Sequence, residues 1–83
     1  MKVQIRYFAS VREALATGGE TVETGASTLA ALRDELIARG GAYATALARG
    51  KAVRMALDQA MSDEAAALRD GAEVAFFPPV TGG

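Results

Sequence analysis

Alternating polar and apolar stretches stand at both ends of this chain, and one strong helical repeat lies between them. Few folds accommodate that arrangement. Val3, Ile5 and Tyr7 alternate with Lys2, Gln4, Arg6 and Phe8, the period-two pattern of a half-buried strand. Near the other end, Val74 and Phe76 alternate with Glu73, Ala75 and Phe77 over Ala72–Phe77. Between them, Leu29, Leu32, Leu36 and Ile37 recur at helical spacing, with Thr28 as N-cap and Gly40-Gly41 as the stop. Arg33, Asp34 and Arg39 take the opposite face of that helix.

The remaining segments are shorter. Ser10 and Glu13 have the spacing of a capping box, so a short helix is expected to run to about Ala16 before Gly18-Gly19 breaks it. Glu20–Thr24 is β-branched and reads as an edge strand pairing with the first. A second helical stretch over Ala42–Ala48 offers Tyr43 and Leu47 to a core, and Gly50 ends it. Val53, Met55 and Leu57 mark a third strand, Asp58-Gln59 a turn, and Ala60-Met61 a very short strand. The alanine-rich stretch Ser62–Leu68 is ambiguous, and Arg69-Asp70-Gly71 is a turn signal. One amphipathic helix can cover one face of a mixed sheet of four to five strands, giving a two-layer α+β domain. The arrangement that fits is the β-grasp, a single domain over residues 1–83, with the first and last strands parallel at the sheet centre.

Composition excludes several kinds of function. Nine Lys and Arg against ten Asp and Glu give a net charge of −1, with no block of one sign to attract nucleic acid or an anionic membrane. There is no cysteine and no histidine, which removes thiolate chemistry, zinc knuckles and the commonest acid, base and metal ligand. No metal site or bound cofactor is expected, and a self-contained active site would be hard to build. The first residues show neither a signal peptide nor a membrane span, so the cytoplasm is the expected location.

The last eight residues, Phe76-Phe77-Pro78-Pro79-Val80-Thr81-Gly82-Gly83, suggest what does the work instead. Proline fixes φ and lacks an N–H, so Pro78 and Pro79 end sheet pairing and hold an extended stem for a projecting tail over residues 78–83. Glycine lacks a Cβ, so Gly82-Gly83 can enter a slot too narrow for other residues. Four residues past Pro79, at about 3.3 Å each, reach roughly 13 Å. The reactive group at the tip would be the Gly83 α-carboxylate. Period two also places Phe8 and Phe77 on the sheet face opposite the helix, among Lys2, Arg6 and Glu73, at the tail end of adjacent strands. Patterning leaves two readings open there: a docking patch beside the tail, or a pair of rings covered by a folded loop.

The stem and tail resemble the ending of the small subunits of molybdopterin synthases, ubiquitin-like sulfur carriers of molybdenum cofactor biosynthesis. Tyr7-Phe8-Ala9-Ser10-Val11-Arg12-Glu13 is similar to that family's first strand and following turn, and the resemblance spans the whole chain. It implies that an ATP-dependent adenylyltransferase of the ubiquitin-activating type adenylates Gly83. A sulfur donor then displaces AMP, leaving a thiocarboxylate. The tail, Val80, Thr81, Gly82 and Gly83, would enter the large synthase subunit, where catalytic residues are expected. Phe8 and Phe77 fall where the family's aromatics face that subunit. Pro78 and Pro79 would border the contact and Arg12 would add a polar one. A heterotetramer of two carriers and two large subunits is implied, with glycyl adenylate and thioglycine as transient modifications and no bound cofactor.

Taken alone, Arg12 reads as a solvated helix residue. Arg49-Gly50-Lys51 lacks the spaced glycines of a phosphate loop and reads as a charged loop, although Lys51 could stand beside a partner's anionic substrate. Asp63 and Glu64 read as surface carboxylates without a basic companion. A related carrier for thiamin or tRNA thiolation, a protein modifier, and a plain interaction domain with an incidental tail are the alternative functions.

Overall fold

The computed structural model describes residues 1–79. The chain runs β1 (Lys2–Tyr7), α1 (Ala9–Leu15), β2 (Gly19–Glu23), α2 (Leu29–Ile37), α3 (Gly41–Ala46), β3 (Arg54–Leu57), β4 (Ala60–Ser62) and β5 (Glu73–Phe77). The expectations for Val80, Thr81, Gly82 and Gly83 lie outside the described residues.

The two alternating end segments pair with each other. β1 lies parallel to β5, with Ile5 opposite Val74 and Tyr7 opposite Phe76. The sheet order is β2-β1-β5-β3-β4, all other pairings being antiparallel, so the parallel pair is flanked on both sides as the β-grasp requires. Val3, Ile5, Tyr7, Val74 and Phe76 are each at most 1% exposed and share a core with Leu29, Leu32 and Leu36 of α2, Val11 of α1 and Leu47. Side chains of this size contribute about 1.5–3 kcal/mol each on burial. This inner face holds the fold together.

Local rules explain most of the boundaries. Thr28 caps α2, its Oγ1 accepting from the Ala31 N–H at 3.2 Å. The next orphan donors of that helix are met by the Ser62–Leu68 stretch: Leu29 N–H donates to the Ala66 carbonyl and Ala30 N–H to that of Glu64. The alanine-rich stretch is therefore neither of α2's kind nor free loop. It leaves the end of β4, turns at Glu64-Ala65 and passes α2 as a strap whose carbonyls finish the helix, bridging at Thr28 and Ala67. Asp58 and Gln59 both take positive φ, 50° and 70°, joining β3 to β4, and the Asp58 carboxylate accepts from the Glu73 N–H at 3.0 Å.

Three expectations fail. The Ser10–Glu13 capping box does not form. The Phe8 N–H is held by the Phe76 carbonyl at 3.1 Å, so the chain must turn directly after Phe8, whose own carbonyl takes the first helical donors from Val11 and Arg12. Phe8 is the cap residue without a side-chain bond, and Ser10 already lies inside the helix. Ala9 makes the turn at φ 50°. Arg33, assigned to the polar face of α2, is 4% exposed. Its Nε donates to the Leu47 carbonyl at 2.8 Å and its Nη2 to that of Ala48 at 2.7 Å, while Glu64 stands 3.2 Å from Nη1. A guanidinium can be buried when carbonyls and a carboxylate use its donors. Glu64 thus has basic companions after all, Arg33 and Arg49.

Candidate functional site

Among the described residues no helix covers the outer face of the sheet. β1 presents Gln4 and Arg6, β5 presents Glu73, Ala75 and Phe77, and β3 presents Arg54 and Ala56, by the same alternation that buries their neighbours. Along β5, from Glu73 to Phe77, runs a shallow groove of about 500 Å³ lined by the apolar Phe8, Ala56, Met61, Ala75 and Phe77 and the polar Arg6, Gln59 and Glu73. Phe8 is 45% exposed and Met61 61%, and Phe77 is half-buried. Among the described residues no loop covers Phe8 or Met61. Contiguous apolar exposure of this kind marks docking surfaces, and aromatic anchors dominate their energetics.

Phe8 is held firmly from below. Tyr7, the residue before it, stacks on Phe76 at 6.2 Å between ring centroids and meets Tyr43 edge-on at 6.5 Å. Its phenol donates to Glu20 Oε2 at 2.9 Å, Tyr43 donates to the same oxygen at 2.6 Å, and Arg39 Nη1 pairs with Oε1 at 2.8 Å. Burial raises the Tyr7 phenol well above its ordinary value, helped by the Glu20 carboxylate. Burial also pushes Glu20 upward, but the bonds donated by Tyr43, Arg39 and Tyr7 outweigh it and leave the carboxyl below its ordinary range. The network stays a neutral phenol against an ionised carboxylate, tying β1 to β2 and to α3.

The other expected site residues distribute around the groove. Arg12 is exposed and lies over Gly18, where an added Cβ would stand 3.4 Å from its Cζ. It lines a neighbouring concavity with Gln4, Arg6 and Gly19, so Arg6 links it to the aromatic pair without Arg12 entering the groove. Pro78 lines a cleft on the helical side together with Val11, Ala14, Lys51 and Val53, and Pro79 is half-buried. Met61 is the groove residue that sequence reasoning missed. The pairing of Met61 with Ala56 across β3 and β4 puts it on the outer face, a register readable only once the Asp58-Gln59 turn is known. Among the described residues no group of three His, Cys, Asp or Glu side chains is placed to hold a metal ion, and no helix is long and apolar enough to cross a membrane.

The profile of the ThiS family matches residues 5–83. The chain belongs to the ThiS family. Within it, the chain is 41% identical over 81 residues to the molybdopterin synthase sulfur carrier subunit of Escherichia coli, covering 98% of this chain and 99% of that one. It is 36% identical, over the same shares, to the protein of that name from Haemophilus influenzae. A chain of the solved complex of subunits 1 and 2 of molybdopterin-converting factor from Helicobacter pylori superposes with a TM-score of 0.70 at 25% identity, covering all of both chains. The ThiS-family fold described here is thus shared along the full length.

Proposed function

We propose that this ThiS-family chain is the sulfur-carrier subunit of a molybdopterin synthase. The observation that carries the reading is the exposed Phe8–Phe77 groove along β5, the strand from which Pro78-Pro79 lead to Gly82-Gly83, in a chain 41% identical to a carrier of that name.

The chemistry follows from the terminus. An α-carboxylate, with an ordinary pKa of about 3.5, is ionised at neutral pH and a poor electrophile. An adenylyltransferase partner lets the Gly83 carboxylate attack the α-phosphorus of ATP, releasing pyrophosphate and forming an acyl adenylate. The outer sulfur of a persulfide donor then attacks the acyl carbon and AMP leaves; a thiol attacks the donor's own sulfur in the acyl disulfide so formed, leaving Gly83 as thiocarboxylate and joining donor and thiol as a disulfide. The groove docks on the large subunit, the tail enters its active site, and the thiocarboxylate sulfur passes to cyclic pyranopterin monophosphate. Two carriers in turn supply the two dithiolene sulfurs of molybdopterin, in a heterotetramer of two carriers and two large subunits. This chain contributes the tether, the reactive sulfur and the docking surface, and proton transfers fall to the partner. Both partners must receive the same short tail, so both use the same face of the carrier.

The test is the intact mass of the chain after incubation with ATP, an activating enzyme and a sulfur donor. A gain equal to replacing one oxygen by sulfur, located at Gly83 by fragmentation, is expected. An unchanged mass, with the enzyme active on a known carrier, would contradict the reading.

A further inference from the structure

The chain has no cysteine, so its own sulfur lies in three methionines, Met1, Met55 and Met61. The fold treats them differently. Met55 is buried on the inner face of β3 and belongs to the core. Met1 is 40% exposed, but it precedes β1, whereas Phe8 follows the other end of that strand, so Met1 lies away from the aromatic pair. Met61 is 61% exposed and lines the groove with Phe8 and Phe77.

Its place in the sheet explains the exposure. β4 is a three-residue strand at the sheet edge, and the pairing sets Met61 opposite Ala56, too small to cover a long side chain. Ala56 in turn lies opposite Ala75, and Ala75 opposite Arg6. The thioether thus stands at one end of an outer-face row whose middle is two alanines. An unbranched thioether adapts to whatever packs on it, which suits a face that two partners use in turn. The same sulfur is open to oxidants.

We propose that Met61 is an oxidation site, at which a peroxide converts the carrier to a form that no longer docks on its large subunit. The inference rests on the sulfur-carrier reading and on docking through the outer face. The thioether sulfur attacks one peroxide oxygen and the O–O bond breaks. That oxygen stays on sulfur as a sulfoxide, the other leaves as water or an alcohol, and the two electrons lost by sulfur reduce the O–O bond. An apolar side chain has become a polar acceptor. Against an apolar partner surface its oxygen loses the hydrogen bonds that water supplies, and an unsatisfied acceptor opposes binding. In the free carrier the oxygen stays in water, so the fold is kept. Thiol-dependent sulfoxide reductases reverse the change, the oxygen leaving as water while two thiols join as a disulfide.

The test treats the full chain, with Gly83 as free carboxylate, with hydrogen peroxide, removes the peroxide and titrates the carrier into the large subunit by calorimetry. In this form the methionines hold all the sulfur, and fragment spectra locate each added oxygen. An oxygen at Met61 and none at Met55, an unchanged Tm and a Kd raised roughly tenfold or more are expected. Sulfoxide reductases of both stereospecificities should restore the Kd. Met61→Leu retains Met1 as an oxidisable control, so whatever its own Kd, peroxide should leave that Kd unchanged. Oxidation at Met61 with an unchanged Kd, an equal loss in peroxide-treated Met61→Leu, or a fall in Tm that accounts for the lost binding overturns the proposal. An untreated wild-type carrier that does not bind the large subunit contradicts the docking reading itself.

Discussion

Phe76 and Phe77 are neighbours in one strand with opposite duties. Phe76 is fully buried on the inner face, stacked on Tyr7, while Phe77 lines an open groove on the outer face with Phe8 and Met61. Strand alternation lets a small domain place its stability on one side of the sheet and leave the other free for the docking proposed above. The division implies that a substitution on one face leaves the property of the other intact.

The largest expected effect comes from breaking the inner face. Phe76→Ala should cost about 3–5 kcal/mol, with each kcal/mol lowering Tm by roughly 4–8 °C in a domain of this size; thermal melts measure it. On the outer face, Phe8→Ala should change stability by less than about 1 kcal/mol. It should nonetheless weaken binding to the large subunit by about 2 kcal/mol or more, roughly thirtyfold in Kd, by calorimetry. Loss of stability without loss of affinity in Phe8→Ala would erase the distinction between the faces.

A smaller effect sharpens the account of how β1 is anchored. Glu20 ionises below its ordinary value near 4.5 in the folded chain, so its contribution is fully present above that pH and is lost as pH falls through the folded value. The Tm difference between wild type and Glu20→Gln should therefore be largest near neutral pH and shrink in acid, as melts between pH 7 and 3 would show. The smallest effect concerns the end of α1. Ala16 caps it at φ 58°, a conformation glycine adopts without strain, so Ala16→Gly should stabilise by about 0.5–1 kcal/mol in urea titrations. Gly19→Ala should do the reverse, since its Cβ would stand 2.5 Å from the Ile5 carbonyl oxygen.

The same division governs how much was legible in the sequence. Val3, Ile5, Tyr7, Val74 and Phe76 declare themselves by period two, because burial on one face imposes it, and Phe8 and Phe77 follow as the remainder. Thr28 is readable because its bond is to the next turn. Arg33 is not: a polar side chain on a helix looks the same whether it meets water or the carbonyls of a loop fourteen and more residues away. The Ser62–Leu68 strap fails for a like reason. Alanine favours helix locally, yet the orphan N–H groups of α2 need acceptors, and tertiary demand wins. Ser10 and Glu13 had the right spacing, but Phe8, pinned to β5, left no room for a cap two residues later. Met61 depended on a turn register that composition does not encode.

In the proposed function the terminus does the chemistry and the folded domain delivers it. Its most direct test is the chain lacking Gly82-Gly83, assayed for binding to the large subunit and for acceptance and transfer of sulfur. An unchanged Tm, retained docking through the Phe8–Phe77 groove and no sulfur transfer are expected. Sulfur transfer by the truncated chain would contradict it.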